Sequence, residues 1–92
     1  MQKVIGGQLL NYEALGTSKK NLIILHGWGG SLQEWLPVAK RLEISYKVWL
    51  LDFPGFGGSP KPSTDWSIYD YANLVADFIK SEKLKKAREW FQ

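Results

Sequence analysis

No cysteine occurs among the 92 residues, and histidine occurs once. Disulfide staples and thiolate metal sites are excluded, and a structural zinc site, built from several Cys and His ligands, lacks its donors. No apolar run approaches the roughly 20 residues of a membrane span, and Met1–Gly7 lacks the apolar core of a secretory signal. The expectation is a cytoplasmic protein without a membrane partner. Charge of one sign is not in large excess either: 12 Lys and Arg face 9 Asp and Glu, a net charge of +3. The acidic residues are interspersed, so nothing points to nucleic acid. The basic run Lys80, Lys83, Lys85, Lys86 and Arg88 reads as a solvated face.

What is present is ordinary for a globular chain, 45% hydrophobic and 23% charged, which argues against disorder. The length suits one small domain, residues 1–92. Such a chain buries only roughly 60–65% of its unfolded surface, so its stability margin is thin.

Lys3–Ile5, then Gly6-Gly7, then Gln8–Leu15 reads as a hairpin, because Gly-Gly supplies the positive φ angles of a tight turn. Asn21–Leu25 is aliphatic enough for a strand buried on both faces. Ser31 with Glu34 has the spacing of a capping box, and Pro37 opens a helix after a short first turn. Tyr46–Leu51 is a second buried strand, ended by Asp52. The stretch DFPGFGGSPKPSTD is a long Gly- and Pro-rich loop. Ser67, with Asp70 three residues on, caps a second helix whose stripe is Ile68, Tyr71, Leu74, Val75, Phe78 and Ile79. Leu84, Ala87 and Phe91 continue that helical spacing, which predicts helix or a frayed tail from Lys83 onward.

An α/β fold follows, with a parallel sheet entered through an antiparallel hairpin. Ligands of such sheets bind beyond the carboxyl ends of the strands. Both glycine-rich loops, His26–Ser31 and Asp52–Ser59, fall there. The first admits two readings: a tight strand-to-helix turn, or a loop whose N–H groups face a substrate.

The stretches HGWGGS and DFPGFGGS, each after an aliphatic strand, resemble the α/β-hydrolase family over roughly Val4–Leu84. The resemblance implies a partial α/β-hydrolase core: an antiparallel hairpin followed by two parallel strands, four strands in all, in a three-layer sandwich. It also implies that Tyr46–Leu51 lies between the hairpin and Asn21–Leu25. His26–Ser31 would be the oxyanion loop, with the backbone N–H of Trp28 as one donor and Gly27, Gly29 and Gly30 admitting the substrate closely. The serine of that family sits in a Gly-x-Ser-x-Gly elbow at the end of the next strand, with the acid and the histidine later. Here that region reads LKKAREWFQ, with no elbow and no second histidine.

His26 is a structural histidine of the loop or, on the sharper reading, a general base in an improvised set with Ser31 or Ser59 and Asp52. Asp52 is likewise an acid or a carboxylate that bonds loop N–H groups. PGFGG fails as a phosphate cradle, since no Gly-x-Gly-x-x-Gly or Lys-Ser/Thr ending follows. Trp28 and Trp35 line a pocket or belong to the core, and Trp66, in a polar loop, is a candidate to face a partner. The resemblance implies a truncated serine hydrolase, the parent acting on a small carboxylic ester, amide or carbon–carbon bond, with no cofactor and no metal, and this chain showing little or no activity. The alternatives are a non-enzymatic self-associating fragment, or a miniature esterase improvised at an oligomer interface. Self-association is expected through the exposed edge of Asn21–Leu25 and the helix flanks.

Overall fold

In a computed structural model, residues 1–25, 30–84 and, for the backbone, 88–91 are described. Strand β1 (Gln2–Ile5) turns into β2 (Gln8–Leu15) through Gly6 and Gly7, at φ +57° and +81°. Those two left-handed glycines make the tight hairpin that the sequence announces. Strand β3 (Asn21–Leu25) is followed by a 3₁₀ turn, Leu32–Trp35, and then by helix α1 (Leu36–Leu42), with Pro37 in its first turn. Strand β4 (Lys47–Asp52), helix α2 (Ile68–Ser81) and strand β5 (Arg88–Phe91) complete the order.

The sheet runs β1-β2-β4-β3-β5. The hairpin and the β2–β4 pair are antiparallel, while β4, β3 and β5 are mutually parallel. Because side chains alternate across a sheet, β3 and β4 feed two cores. Ile23, Leu25, Trp49 and Leu51 join Leu74, Val75 and Phe78 of α2, with Ile5 and Leu10 from the hairpin. Leu22, Ile24, Val48 and Leu50 join Leu32 and Ala39 on the face that α1 covers. This is the three-layer arrangement, with a helix on each face.

Four expectations are corrected. The chain from Lys83 onward does not continue α2: residues 88–91 form β5, parallel to β3, with Leu22 opposite Arg88 and Leu25 opposite Phe91. The reason is visible at the helix end. Lys83 takes φ 55°, its N–H donates to the Lys80 carbonyl at 3.1 Å, and the Leu84 N–H donates to the Ile79 carbonyl at 3.0 Å. These two bonds are the Schellman termination, and half-buried Leu84 packs with Ile79 against the core beside it. Lysine instead of glycine at the left-handed position hides that stop from a sequence reading.

Second, the described sheet has five strands, and the edge of Asn21–Leu25 expected to be bare is occupied by β5. Third, Ser31 makes no side-chain cap; its carbonyl accepts the Glu34 N–H at 3.2 Å. At α2, by contrast, the Ser67 N–H donates to Asp70 at 2.8 Å and its hydroxyl to the same oxygen at 3.2 Å. Fourth, Ile68 does not join the α2 stripe; it is exposed, as is Tyr69. No helix among the described residues is long and apolar enough to cross a membrane.

Candidate functional site

Strands β3, β4 and β5 end side by side, with Leu25 opposite both Leu51 and Phe91. The chain therefore leaves β3 and β4 at one rim of the sheet. His26, Gly27, Trp28 and Gly29 lie outside the described residues. Gly30 is described, half-buried, just before half-buried Ser31.

The rim is organised by a carboxylate. Asp52, the last residue of β4, is 1% exposed. Its Oδ1 accepts the backbone N–H of Leu32 at 2.6 Å. Its Oδ2 accepts the Gly58 N–H at 2.8 Å and the Asn11 side-chain amide at 2.9 Å. One residue thus ties the exit of the first glycine loop to the second glycine loop and to the hairpin. A charged acceptor gathering several donors is what makes such burial tolerable.

Ser59 closes the network from the other side. Its hydroxyl donates to the Asp52 carbonyl at 2.7 Å and accepts the Asn11 N–H at 2.8 Å. Asn11 and Asp52 are register partners, so the hydroxyl bridges the end of the β2–β4 ladder. Two glycines of the second loop pack directly on this network. Gly57 has φ +53°, and a Cβ on it would run into the Asp52 carboxylate. A Cβ on Gly58 would stand 2.7 Å from Nδ2 of Asn11.

The carboxylate is held by loop and hairpin donors, and the Ser59 hydroxyl donates to a backbone carbonyl. His26, the base of the improvised set, lies outside the described residues. Trp35 is half-buried against the α1-side core, the packing reading. Trp66 is half-buried too, packed against the α2-side core and edge-on to Tyr71 at 5.2 Å, so it does not stand free for a partner. In the basic run, Lys80 and Lys83 are exposed, while Lys85 and Lys86 lie outside the described residues. Among the described residues, no cluster of His, Cys, Asp or Glu is arranged to hold a metal ion.

Asn11 escaped the sequence reading. Its one signal is an asparagine, a poor strand residue, inside LLNYEAL. Only the pairing with β4 shows that it sits opposite Asp52.

A mixed sheet with three parallel strands and helices on both faces narrows the family, and similarity in sequence decides it. The alpha/beta hydrolase fold family matches residues 20–88. The chain belongs to the alpha/beta hydrolase fold family. Among curated proteins, it is similar to a pimeloyl-[acyl-carrier protein] methyl ester esterase of Pseudoalteromonas atlantica, 43% identical over 62 residues; the match covers 63% of this chain and 22% of that protein. A protein of the same name from Pectobacterium carotovorum is 33% identical over 66 residues, covering 72% of this chain and 26% of the relative. The chain thus spans about a fifth to a quarter of the length of these relatives. Among solved structures, a membrane phospholipase A aligns with a TM-score of 0.91 at 28% identity, over 100% of this chain and 30% of that one. A marine microorganism esterase aligns with a TM-score of 0.81 at 35% identity, over 87% of this chain and 30% of that one.

Proposed function

We propose that this alpha/beta hydrolase chain forms the oxyanion side of a carboxylic-ester hydrolase site. The observation that carries the reading is the level ending of β3, β4 and β5, so that the segments after β3 and β4 both start beside the end of a third parallel strand. In this reading β5 takes the place of the elbow strand, and the nucleophile belongs at its carboxyl end. Backbone N–H groups of the 26–31 segment, that of Trp28 first, would receive the negative charge that develops on an ester carbonyl oxygen. Each such donor is worth about 10²–10³ in rate. The methyl ester esterase name of the relatives supports a carboxylic ester as substrate class.

The 92 residues contain no Gly-x-Ser-x-Gly. The chain alone is expected to show no turnover of p-nitrophenyl esters above a buffer-plus-albumin background, and no labelling by a fluorophosphonate. Turnover lost in His26→Ala, with the fold kept, would support the improvised site instead. The positive test is a chimera in which the elbow and later segments of the Pseudoalteromonas relative follow Gln92. Phosphonate labelling of the chimera is expected; a folded chimera that stays unlabelled counts against the reading.

Self-association is a second reading, favoured by the sheet edge. Among the described residues no strand pairs with the outer side of β5. An edge of parallel strand is a template for another chain. We propose pairing there between two copies, in place of the Asn21–Leu25 edge. Light scattering at low micromolar concentration is expected to give at least twice the monomer mass, and a stable folded monomer would refute it.

A further inference from the structure

We propose that the amino-terminal end of the parallel strands, opposite the candidate site, is a docking face for an anionic membrane surface. The inference stands apart from the ester-hydrolase reading. Basic residues that are scattered in the sequence meet there because of the topology. Strands β3 and β4 start level, Asn21 opposite Lys47, and the Lys47 N–H donates to the Lys20 carbonyl at 2.7 Å. Helix α1 runs back to the same end and carries Lys40 and Arg41 in its last turn. The Ser45 and Tyr46 N–H groups donate to the Leu42 carbonyl at 3.0 and 2.9 Å, which folds the 43–46 turn against the helix end. The 16–20 connection lies on that turn: Gly16 takes φ +93°, and a Cβ on it would run into the Tyr46 and Glu43 carbonyls.

Lys19, Lys20, Lys40 and Arg41 are exposed at this end, and the half-buried Lys47 ammonium lies 4.7 Å above the Trp49 ring. Beside them stands the exposed carboxylate of Glu43. The sign reverses at the carboxyl end of the strands, where Glu34 and Asp65 are exposed with Lys61. A cluster of about four to eight Lys and Arg is what anionic headgroups attract, at about fivefold in partitioning for each cation near the surface. What separates a membrane from another polyanion is Ile44. It is 88% exposed in the 43–46 turn, between Arg41 and Lys47 in the sequence. A lone exposed isoleucine is ordinary on a surface. Set among cations, it supplies the apolar contact that enters the boundary between headgroups and acyl chains, for which nucleic-acid phosphates offer no counterpart. Peripheral docking needs no spanning segment, so the lack of one in the sequence does not bear on it. A chain docked this way turns its candidate site toward water.

Co-sedimentation of the 92-residue chain with lipid vesicles tests the face. The chain is expected to bind phosphatidylcholine vesicles carrying about 30% phosphatidylglycerol, and to bind phosphatidylcholine alone at least about tenfold more weakly. Salt at about 0.5 M should release it, because screening then acts within about 4 Å. Lys20→Glu should weaken binding to the anionic vesicles by about tenfold or more. Ile44→Ser, at unchanged charge, should weaken it about fivefold. Both positions are exposed, so circular dichroism of these variants should match the parent. Lys61→Glu makes the same charge change at the opposite end and should stay within about twofold of the parent. Equal loss in Lys20→Glu and Lys61→Glu would mean that net charge alone is felt. Unchanged vesicle binding in Ile44→Ser would mean a face for polyanions in general, which a DNA duplex would fill as well. Either result overturns the proposal, as does a parent chain with no preference for the anionic vesicles.

Discussion

Asp52→Ala should unfold the chain at or near physiological temperature. The side chain is 1% exposed and accepts the Leu32 N–H, the Gly58 N–H and the Asn11 amide. Alanine leaves these donors without that acceptor, the Leu32 N–H in a buried place and the Gly58 N–H and Asn11 amide in part-buried ones. An unsatisfied buried donor costs about 1–3 kcal/mol, and the sum is lowered where water enters the space left behind. A net loss of about 4 kcal/mol is expected, comparable to removing one partner of a buried ion pair. A domain this short starts near the low end of the usual 5–15 kcal/mol, so little remains. Asp52→Asn should lose roughly half as much. Its amide oxygen still accepts, but its NH₂ group confronts an N–H that has nothing to donate to. Urea unfolding followed by circular dichroism measures both. With a slope of about 1 kcal/mol per molar, the alanine variant should lose its folded baseline altogether. A midpoint within about 0.3 M of the parent would show that the carboxylate is dispensable.

Phe78→Ala is the other large effect. Phe78 is fully buried on α2 and stands edge-on to Tyr12 at 5.4 Å and to Trp49 at 5.6 Å. It therefore joins the helix to β2 and β4 at once. Truncating a buried phenylalanine costs about 3–5 kcal/mol through lost burial and the cavity left behind. At this chain length that corresponds to a fall in Tm of roughly 15–30 °C. Phe78→Leu keeps most of the volume and should cost about a third as much. Thermal unfolding followed by circular dichroism distinguishes the two. Equal melting of the alanine and leucine variants would mean that restored volume recovers nothing and that the ring contacts carry the whole effect.

The elements whose signals are local were legible in the sequence. Gly6-Gly7 marked the hairpin, LIIL and VWLL the two buried strands, and Ser67 with Asp70 the start of α2. The end of α2 was not legible, because Lys83 occupies the left-handed position that glycine usually announces, and REWF carries no aliphatic run to declare a strand. β5 is a strand because β3 offers it an edge, which is a tertiary cause and leaves little trace in four residues. The site divides in the same way. The second glycine loop was visible as a loop, but the reason for Gly57 and Gly58 lies in the Asp52–Asn11 contact, 41 residues apart in sequence. Placing Asn11 in that network requires knowing what lies across the sheet from it.

The two-faced burial of β3 and β4 leaves their alignment underdetermined by hydrophobicity. Leu22–Leu25 against Val48–Leu51 is apolar at every position, so sliding one strand along the other by two residues would keep each side chain in its own layer. Polar groups at the two ends forbid the slide. At one end the Trp49 indole N–H donates to the Asn21 side-chain oxygen at 3.1 Å. At the other, Asp52 at the end of β4 accepts the N–H of Leu32, which follows β3, and a slide would part them. The greasy centre of this sheet drives its collapse, and the few polar side chains at its ends select one alignment out of several nearly isoenergetic ones.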